Sequence, residues 1–340
     1  MGSHRRMLRL LALSLLTAVT LLQGVCVAAE ELVIYSGRSD KFVRPVIEKF
    51  TEKTGIKVIL HAAESTALLN KLRLEGDKTQ ADLYISNDAG NLQVGSNLKL
   101  FKSLPATIRQ QIPAQFRAPD DTWIGLSARA RVLVVNTNVP EAQEIKSVFD
   151  LAKPKWRARI GITNSSNESF IAGVTVYMLT TNEQRVKEWL TGLKDNEQGQ
   201  VFAKHSHIVR AVARGKIDVG LVNHYYIYRH LAEYPDAPIK ILLPDQDKGG
   251  FGVAWNVAGI AISAYTRQSV AAEQLVAYLV SEQGQSIFAE KNREYPTREG
   301  VSAAREIPPA GSYKVADIPM SKLAEYRNAT IDLLENVGMP

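Results

Sequence analysis

The run VNHYYIYRH, Val222 to His230, sets two phenols side by side at Tyr225 and Tyr226, with a third at Tyr228. Neighbouring residues point to opposite faces of a strand and stand about 100° apart around a helix, so a single core face does not require both. Two readings are open. In one, Tyr225 begins a helix whose apolar stripe continues through Tyr228, Leu231 and Ala232, so that one phenol is core and Tyr226 points elsewhere. In the other, the pair binds a cation. Phenolate is a hard oxygen donor suited to a hard, highly charged metal. A phenol with a pKa of about 10 ionises at neutral pH only beside a strong positive charge. Ferric iron supplies that charge, whereas calcium or magnesium scarcely does. Two phenolates leave Fe(III) with one net positive charge, which an anion held by arginine and amide groups would offset.

Groups of that kind collect where strands end. YSGR carries Arg38 and Ser39, and ISNDAGNL carries Asn87 and Asp88. LSARAR carries Arg129 and Arg131 just before a strand, and ITNSSNES carries hydroxyls and amides at a helix start. Loops at strand ends carry function more often than core does. Each also has a structural reading. NSSNES makes a good helix N-cap, although its exposed amides suit an anion equally well. Arg129 and Arg131 read as surface charges or ion pairs, and Asp88 as the cap of a helix after Ala89. His205 and His207 have the spacing of a metal pair but read as a surface turn.

The elements that position these groups alternate. ELVIYSGR is a β-branched strand. DKFVRPVIEKFTEKTG places Phe42, Val43, Val46, Ile47 and Phe50 on one helical stripe and stops at Gly55. IKVIL, STALLNKLRLEG and ADLYIS continue strand, helix, strand. A β-α-β-α-β order implies a mostly parallel sheet covered on both faces, with ligands at the carboxyl ends of its strands. Farther on, RVLVVN, ARIGIT, IDVGLVN, IKILLP and FGVAWNVAGIAIS read as strands and RVKEWLTGL and IVRAVARG as helices. The total is two α/β units rather than one sheet, with no internal repeat.

The first residues, MGSHRRMLRLLALSLLTAVTLLQGVCVAAE, join Arg5, Arg6 and Arg9 to an apolar run from Leu10 to Leu22 and small residues at Ala28 and Ala29. That is the pattern of a secretory signal peptide cleaved after Ala29, and the run is shorter than the roughly 20 residues of a membrane span. Val25 stands where a lipid-modified Cys26 would want a small residue, which argues against an anchor. Removing Arg5, Arg6 and Arg9 from 41 Lys and Arg leaves 38 against 35 Asp and Glu, so the basic balance belongs largely to the precursor. Cys26 is the only cysteine, so the exported chain is held by its core and not by disulfides. No basic, aromatic-interleaved patch marks nucleic-acid binding. No Gly-x-Ser-x-Gly elbow, His-Glu-x-x-His pair or phosphate-cradling loop marks an enzyme. An exported, cysteine-free chain of two α/β units suits a receptor that closes two lobes on a solute.

VIYSGR, RARIGIT, ARGKIDVGLVNHYYIYR and EYPTR together resemble the ferric-ion-binding periplasmic proteins, the solute-binding components of bacterial Fe(III) ABC transporters. The resemblance implies an α/β, two-lobe periplasmic-binding-protein fold. Each lobe is then a mixed, mostly parallel sheet flanked by helices, with a hinge of crossing strands. Lobe one would comprise 30–130 with 252–305, and lobe two 131–251 with 306–340. The resemblance also implies a periplasmic monomer that holds Fe(III) and a synergistic anion of carbonate or phosphate type and delivers the iron to an inner-membrane ABC permease. Carried over, Tyr225 and Tyr226 match the paired iron tyrosines and Arg129 the anion-holding arginine. Asn223 matches an amide beside the anion, and Ser165 and Ser166 fall in the loop that contacts it. The chain departs from the family at Ser39 and Asp40, where members carry His or His and Tyr, and at Asn87, where others carry Glu. No tyrosine stands near Ser169 and Phe170, and Tyr177 is no clean substitute. The remaining ligands stay open among Asp88, Tyr35, water and anion oxygens. The competing function is a metal-free receptor for an oxyanion or organic phosphate.

Overall fold

A computed structural model describes residues 31–340. The signal-peptide and Cys26 readings lie outside them. The chain opens with β1 (Glu31–Ser36), α1 (Asp40–Thr54), β2 (Lys57–Ala62), α2 (Ser65–Glu75), β3 (Leu83–Ser86) and α3 (Ala89–Asn97), followed by a single turn, α4 (Ala106–Arg109). The β-branched run Val33–Ile34 makes β1 a strand buried on both faces, and β2 and β3 pair with it in parallel on either side. The five apolar residues of α1 are all buried. Each such side chain contributes about 1.5–3 kcal/mol, and Phe50→Ala, which also leaves a cavity, would cost about 3–5 kcal/mol. The helix ends where Gly55 takes φ 76°, a left-handed conformation that glycine adopts freely.

The long strand β4 (Trp123–Asn136) organises the rest. It is followed by β5 (Ile160–Thr163), α5 (Glu168–Thr180), α6 (Glu183–Glu197), β6 (Val201–Phe202), α7 (His205–Ala213), β7 (Val219–Asn223), α8 (His224–Glu233) and β8 (Ile239–Leu242). The chain then returns through β9 (Ala254–Ile262), α9 (Ser269–Leu279), α10 (Glu282–Asn292), β10 (Tyr295–Pro296) and α11 (Leu323–Val337). The strands lie in the order β2-β1-β3-β9-β4-β7-β5-β6, with β8 and β10 also on β4. Both flanks are parallel, as the alternation of strands and helices predicts. The centre is antiparallel, because β9 comes back between β3 and β4.

The fold is two-lobed, and β4 serves both lobes. Its residues Trp123–Arg131 pair with β9, and Arg131–Val135 pair with β7. The exchange of partners happens at Arg131. The strand is thus longer than the run RVLVVN suggests, and Arg129 and Arg131 lie inside it. As residues i and i+2 they share a face. Helix α11 touches both lobes: Arg327 pairs with Asp88, while Thr330 hydrogen-bonds Thr175 of α5. Among the described residues no helix is long and apolar enough to cross a membrane.

Candidate metal and anion site

Tyr225 and Tyr226 occupy the first turn of α8, after its first residue His224, with Asn223 preceding the helix. Their rings lie side by side, 4.3 Å apart with planes 32° apart. The partial positive charge at a helix N-terminus favours negative charge there, so the placement suits an anionic ligand set. Tyr225 is buried at 4 % exposure and meets Phe42 of α1 edge-on at 5.7 Å, while Tyr226 is half-buried. Burial pushes the Tyr225 phenol well above its ordinary range, with Tyr226 and Glu294 adding to the shift and Arg129 opposing it. Tyr228 keeps other company: burial and then Tyr295 raise it.

Two arginines stand beside the pair. Arg129 and Arg131 are each 3 % exposed, and neither forms a salt bridge among the described residues. They are therefore not the surface charges or ion pairs that their sequence context suggests. Arg129 is held by Asn87, through its backbone carbonyl and at 3.4 Å through its side-chain oxygen. Arg131 donates to Asn223 Oδ1 at 3.5 Å and lies with its charged end 5.9 Å from the Phe170 ring centroid. Burial pulls Arg131 down to about 10, while Tyr177, Tyr225 and Tyr226 act to raise it. Nε of Arg129 and both Nε and Nη2 of Arg131 have no hydrogen-bond partner among the described residues. Buried guanidinium N–H groups left without a partner cost on the order of 1–3 kcal/mol each, a penalty that an anion at this position removes.

These groups surround a small, partly open cavity lined by Arg129, Arg131, Ser169, Gly173, Asn223, Ala254, Trp255 and Asn256. The lining joins β4, β7, β9 and the start of α5. Asn167 caps α5 by accepting from the backbone N–H of Ser169 and Phe170. Asn223 Nδ2 donates to Ser169 Oγ at 3.1 Å, tying the two elements together. The tyrosine pair flanks the arginines and is not among the lining residues.

Not every residue singled out in the sequence comes here. The Ser165 backbone N–H and hydroxyl both donate to the last two residues, Pro340 and Met339, and Ser166 is exposed and bonds Asn164. Ser169, three residues farther on, lines the cavity in their stead. The Tyr35 hydroxyl donates to Glu75 at 2.8 Å, with the Lys71 ammonium over its ring. Asp88 caps α3, receives a hydrogen bond from Asn256 and pairs with Arg327 at 2.5 Å, so both its oxygens are engaged. Arg38 is buried in a two-toothed contact with Glu294 at 2.7 and 2.9 Å. Tyr177 is fully buried, and its hydroxyl has no hydrogen-bond partner among the described residues; burial raises its pKa and the charge of Arg131 opposes the rise.

Sequence reasoning underrated two histidines. His205 is not on a surface turn: it starts α7, is 4 % exposed and stacks against Tyr226 at 5.1 Å. His207 lies apart from it, in a groove with Arg210, Arg214 and Lys216. His224 accepts from the Ala130 backbone N–H at 3.1 Å, and burial drags it down to about 4. The start of an amphipathic helix at His205, with Ile208, Val209 and Val212 on its buried face, was the available signal. Among the described residues no group of three His, Cys, Asp or Glu is placed to hold a metal.

Comparison with known proteins adds an independent finding. The family described as bacterial extracellular solute-binding protein matches residues 32–291. The chain is 30 % identical to the major ferric iron-binding protein of Neisseria meningitidis, over 92 % of this chain and 94 % of that one. It is 28 % identical to iron uptake protein A1 of Synechocystis, over 91 % and 87 %. A solved structure of a Trichodesmium protein in complex with iron and citrate superposes with a TM-score of 0.80 at 29 % identity, over 91 % of this chain and 100 % of the other. The chain belongs to the bacterial extracellular solute-binding protein family, among relatives named for ferric iron binding and iron uptake.

Proposed function

We propose that the protein captures Fe(III) outside the cytoplasm, between its two lobes, and hands it to an inner-membrane ABC permease. It then acts as a periplasmic monomer and not as an enzyme. Tyr225 and Tyr226 bind the ion as phenolates. Arg129 and Asn223, with Arg131 and Ser169, hold a synergistic anion of carbonate or phosphate type. The lobes, divided near Arg131 on β4, close on the liganded state as a hinge motion. The observation that carries this reading is the pair of phenol rings 4.3 Å apart beside two buried, unpaired guanidiniums. The charges agree with it. Fe(III) and two phenolates leave one positive charge, and the arginines add two, so an anion is required and a multiply charged one is favoured. Relatives named for ferric iron binding support the choice of metal.

The test is iron content after loading with ferric citrate and dialysis. The expected result is one iron per chain in the wild type and none in the Tyr225→Phe/Tyr226→Phe double variant. Equal iron in both would overturn the assignment.

A second reading, a metal-free receptor for an oxyanion or organic phosphate, is favoured by one fact: both arginines line the cavity and the tyrosines do not. Calorimetry of iron-free protein with phosphate and carbonate separates the two. Tight anion binding that is unchanged by the double variant and by added iron supports the second reading.

A further inference from the structure

A carboxyl group that takes no part in holding metal or anion also joins the two lobes. Glu168 stands in the first turn of α5, on the lobe built around β5 and β7, and reaches α2 and α3 on the lobe built around β1 and β3. Its Oε2 accepts from Ser65 Oγ at 2.9 Å and its Oε1 from Asn91 Nδ2 at 3.3 Å. Ser65 and Asn91 are buried, and Ser65 Oγ also accepts from the Asn87 backbone N–H at 3.3 Å. The far side of the contact is thus fixed within its own lobe.

A carboxylate in the first turn of a helix ordinarily faces water and complements the helix dipole. Glu168 is instead partly buried in the seam. The ionisable groups that face it are Glu64 before α2, Asp88 before α3, Tyr84 of β3 and Arg327 of α11. Burial first, then Asp88, and more weakly Glu64 oppose its charge, while the Ser65 hydrogen bond and Arg327 favour it. Arg327 is already paired with Asp88, and the opposing influences win, lifting the carboxyl from 4.5 to about 7. A serine hydroxyl accepts from a protonated carboxyl as readily as it donates to an ionised one, so the Ser65 contact survives protonation. Opening the lobes returns Glu168 to water and to the ordinary carboxylate range. We propose that Glu168 is a proton-operated clasp: protonated, it holds α5 of one lobe against α2 and α3 of the other, and its ionisation favours release. The proposal rests on the hinge motion of the reading above, and on neither its metal nor its anion. Closed lobes bind a proton that open lobes give up, so closure is most favourable below about 4.5 and weakens as pH rises through about 7. Iron-free protein is then more open at neutral pH and above, the state that a ligand enters.

Small-angle X-ray scattering of iron-free wild type, Glu168→Gln and Glu168→Ala tests this, with wild type loaded with ferric citrate as a further arm. The expected wild-type ratio of closed to open lobes falls at least about tenfold from about pH 5 to about pH 8. Gln keeps the shape and the acceptor without the charge, so that variant stays closed at both pH values. Ala removes the clasp, so that variant is more open than wild type at the lower pH and does not respond to pH; it serves alone should Gln disturb the fold. A wild-type ratio that stays constant with pH, or that falls equally in Glu168→Gln or Glu168→Ala, overturns the clasp, while compaction on iron loading leaves the hinge motion standing. Scattering that neither iron, pH nor substitution changes overturns the hinge motion, and the clasp falls with it.

Discussion

If the phenols bind as phenolates, iron affinity must depend on pH in a way that Tyr226→Phe changes by a calculable amount. Ionising an ordinary phenol, pKa about 10, at pH 7 costs about 4 kcal/mol. Tyr225 costs more, because burial and its neighbour push it well above that range. The metal's field must supply this energy, and each phenol releases one proton on binding. Below the phenol range, each released proton makes affinity rise about tenfold per pH unit. Ferric hydrolysis and chelator chemistry also vary with pH, but they are common to wild type and variant and cancel in the ratio. Removing one phenol removes one proton, so the ratio of wild-type to Tyr226→Phe affinity should grow about 100-fold from about pH 5.5 to about pH 7.5. Competition against a chelator, with bound iron measured directly, gives the ratio at each pH. A ratio that does not move with pH would refute phenolate ligation by Tyr226, whatever the absolute affinities.

Three further outcomes follow from the same geometry. Arg129→Gln removes charged hydrogen bonds to the anion and should weaken calorimetric anion binding by about 1.5–3 kcal/mol. Glu294→Gln leaves the fully buried Arg38 without its counter-charge and should lower stability in urea by about 3–5 kcal/mol. Glu168 at the start of α5 accepts from Ser65 of α2 at 2.9 Å and from Asn91 of α3 at 3.3 Å, and burial first, then the charge of Asp88, raises it from 4.5 to about 7. A raised folded pKa means that its contribution is full below about 4.5 and is lost as pH rises through about 7. Thermal melts of wild type minus Glu168→Gln should fall across that window, and a flat difference would count against the assignment.

The outer parts of the fold were legible because their apolar period is local. The stripe of α1 and the β-branched run of β1 each state their element and their buried face within a few residues. The antiparallel centre was not legible, since β9 pairs with β3 and β4 through contacts far apart in the chain. The same limit hid the nature of Arg129 and Arg131. In SARARVLVVN the alternation of Ser127, Arg129 and Arg131 with Ala128, Ala130 and Val132 is that of a strand, but charges on one face ordinarily mean solvent. Only the packing of α5 over that face, with Gly173 against the Arg131 side chain, makes it interior. Tyr225 and Tyr226 stood out because adjacent phenols are hard to assign to one core face. His205 did not, because its partners Tyr226 and Arg131 come from other elements. Ser169 was passed over for Ser165 and Ser166 because the helix start locates the loop without saying which hydroxyl turns inward.

The central claim is that a trivalent cation turns two neighbouring phenols into charged oxygen ligands. The most direct measurement is the visible spectrum of iron-free protein titrated with ferric citrate at neutral pH. A phenolate-to-iron charge-transfer band that saturates at one iron per chain, and is absent from the Tyr225→Phe/Tyr226→Phe variant, is the predicted result. A solution that stays colourless and is metal-free after dialysis contradicts it.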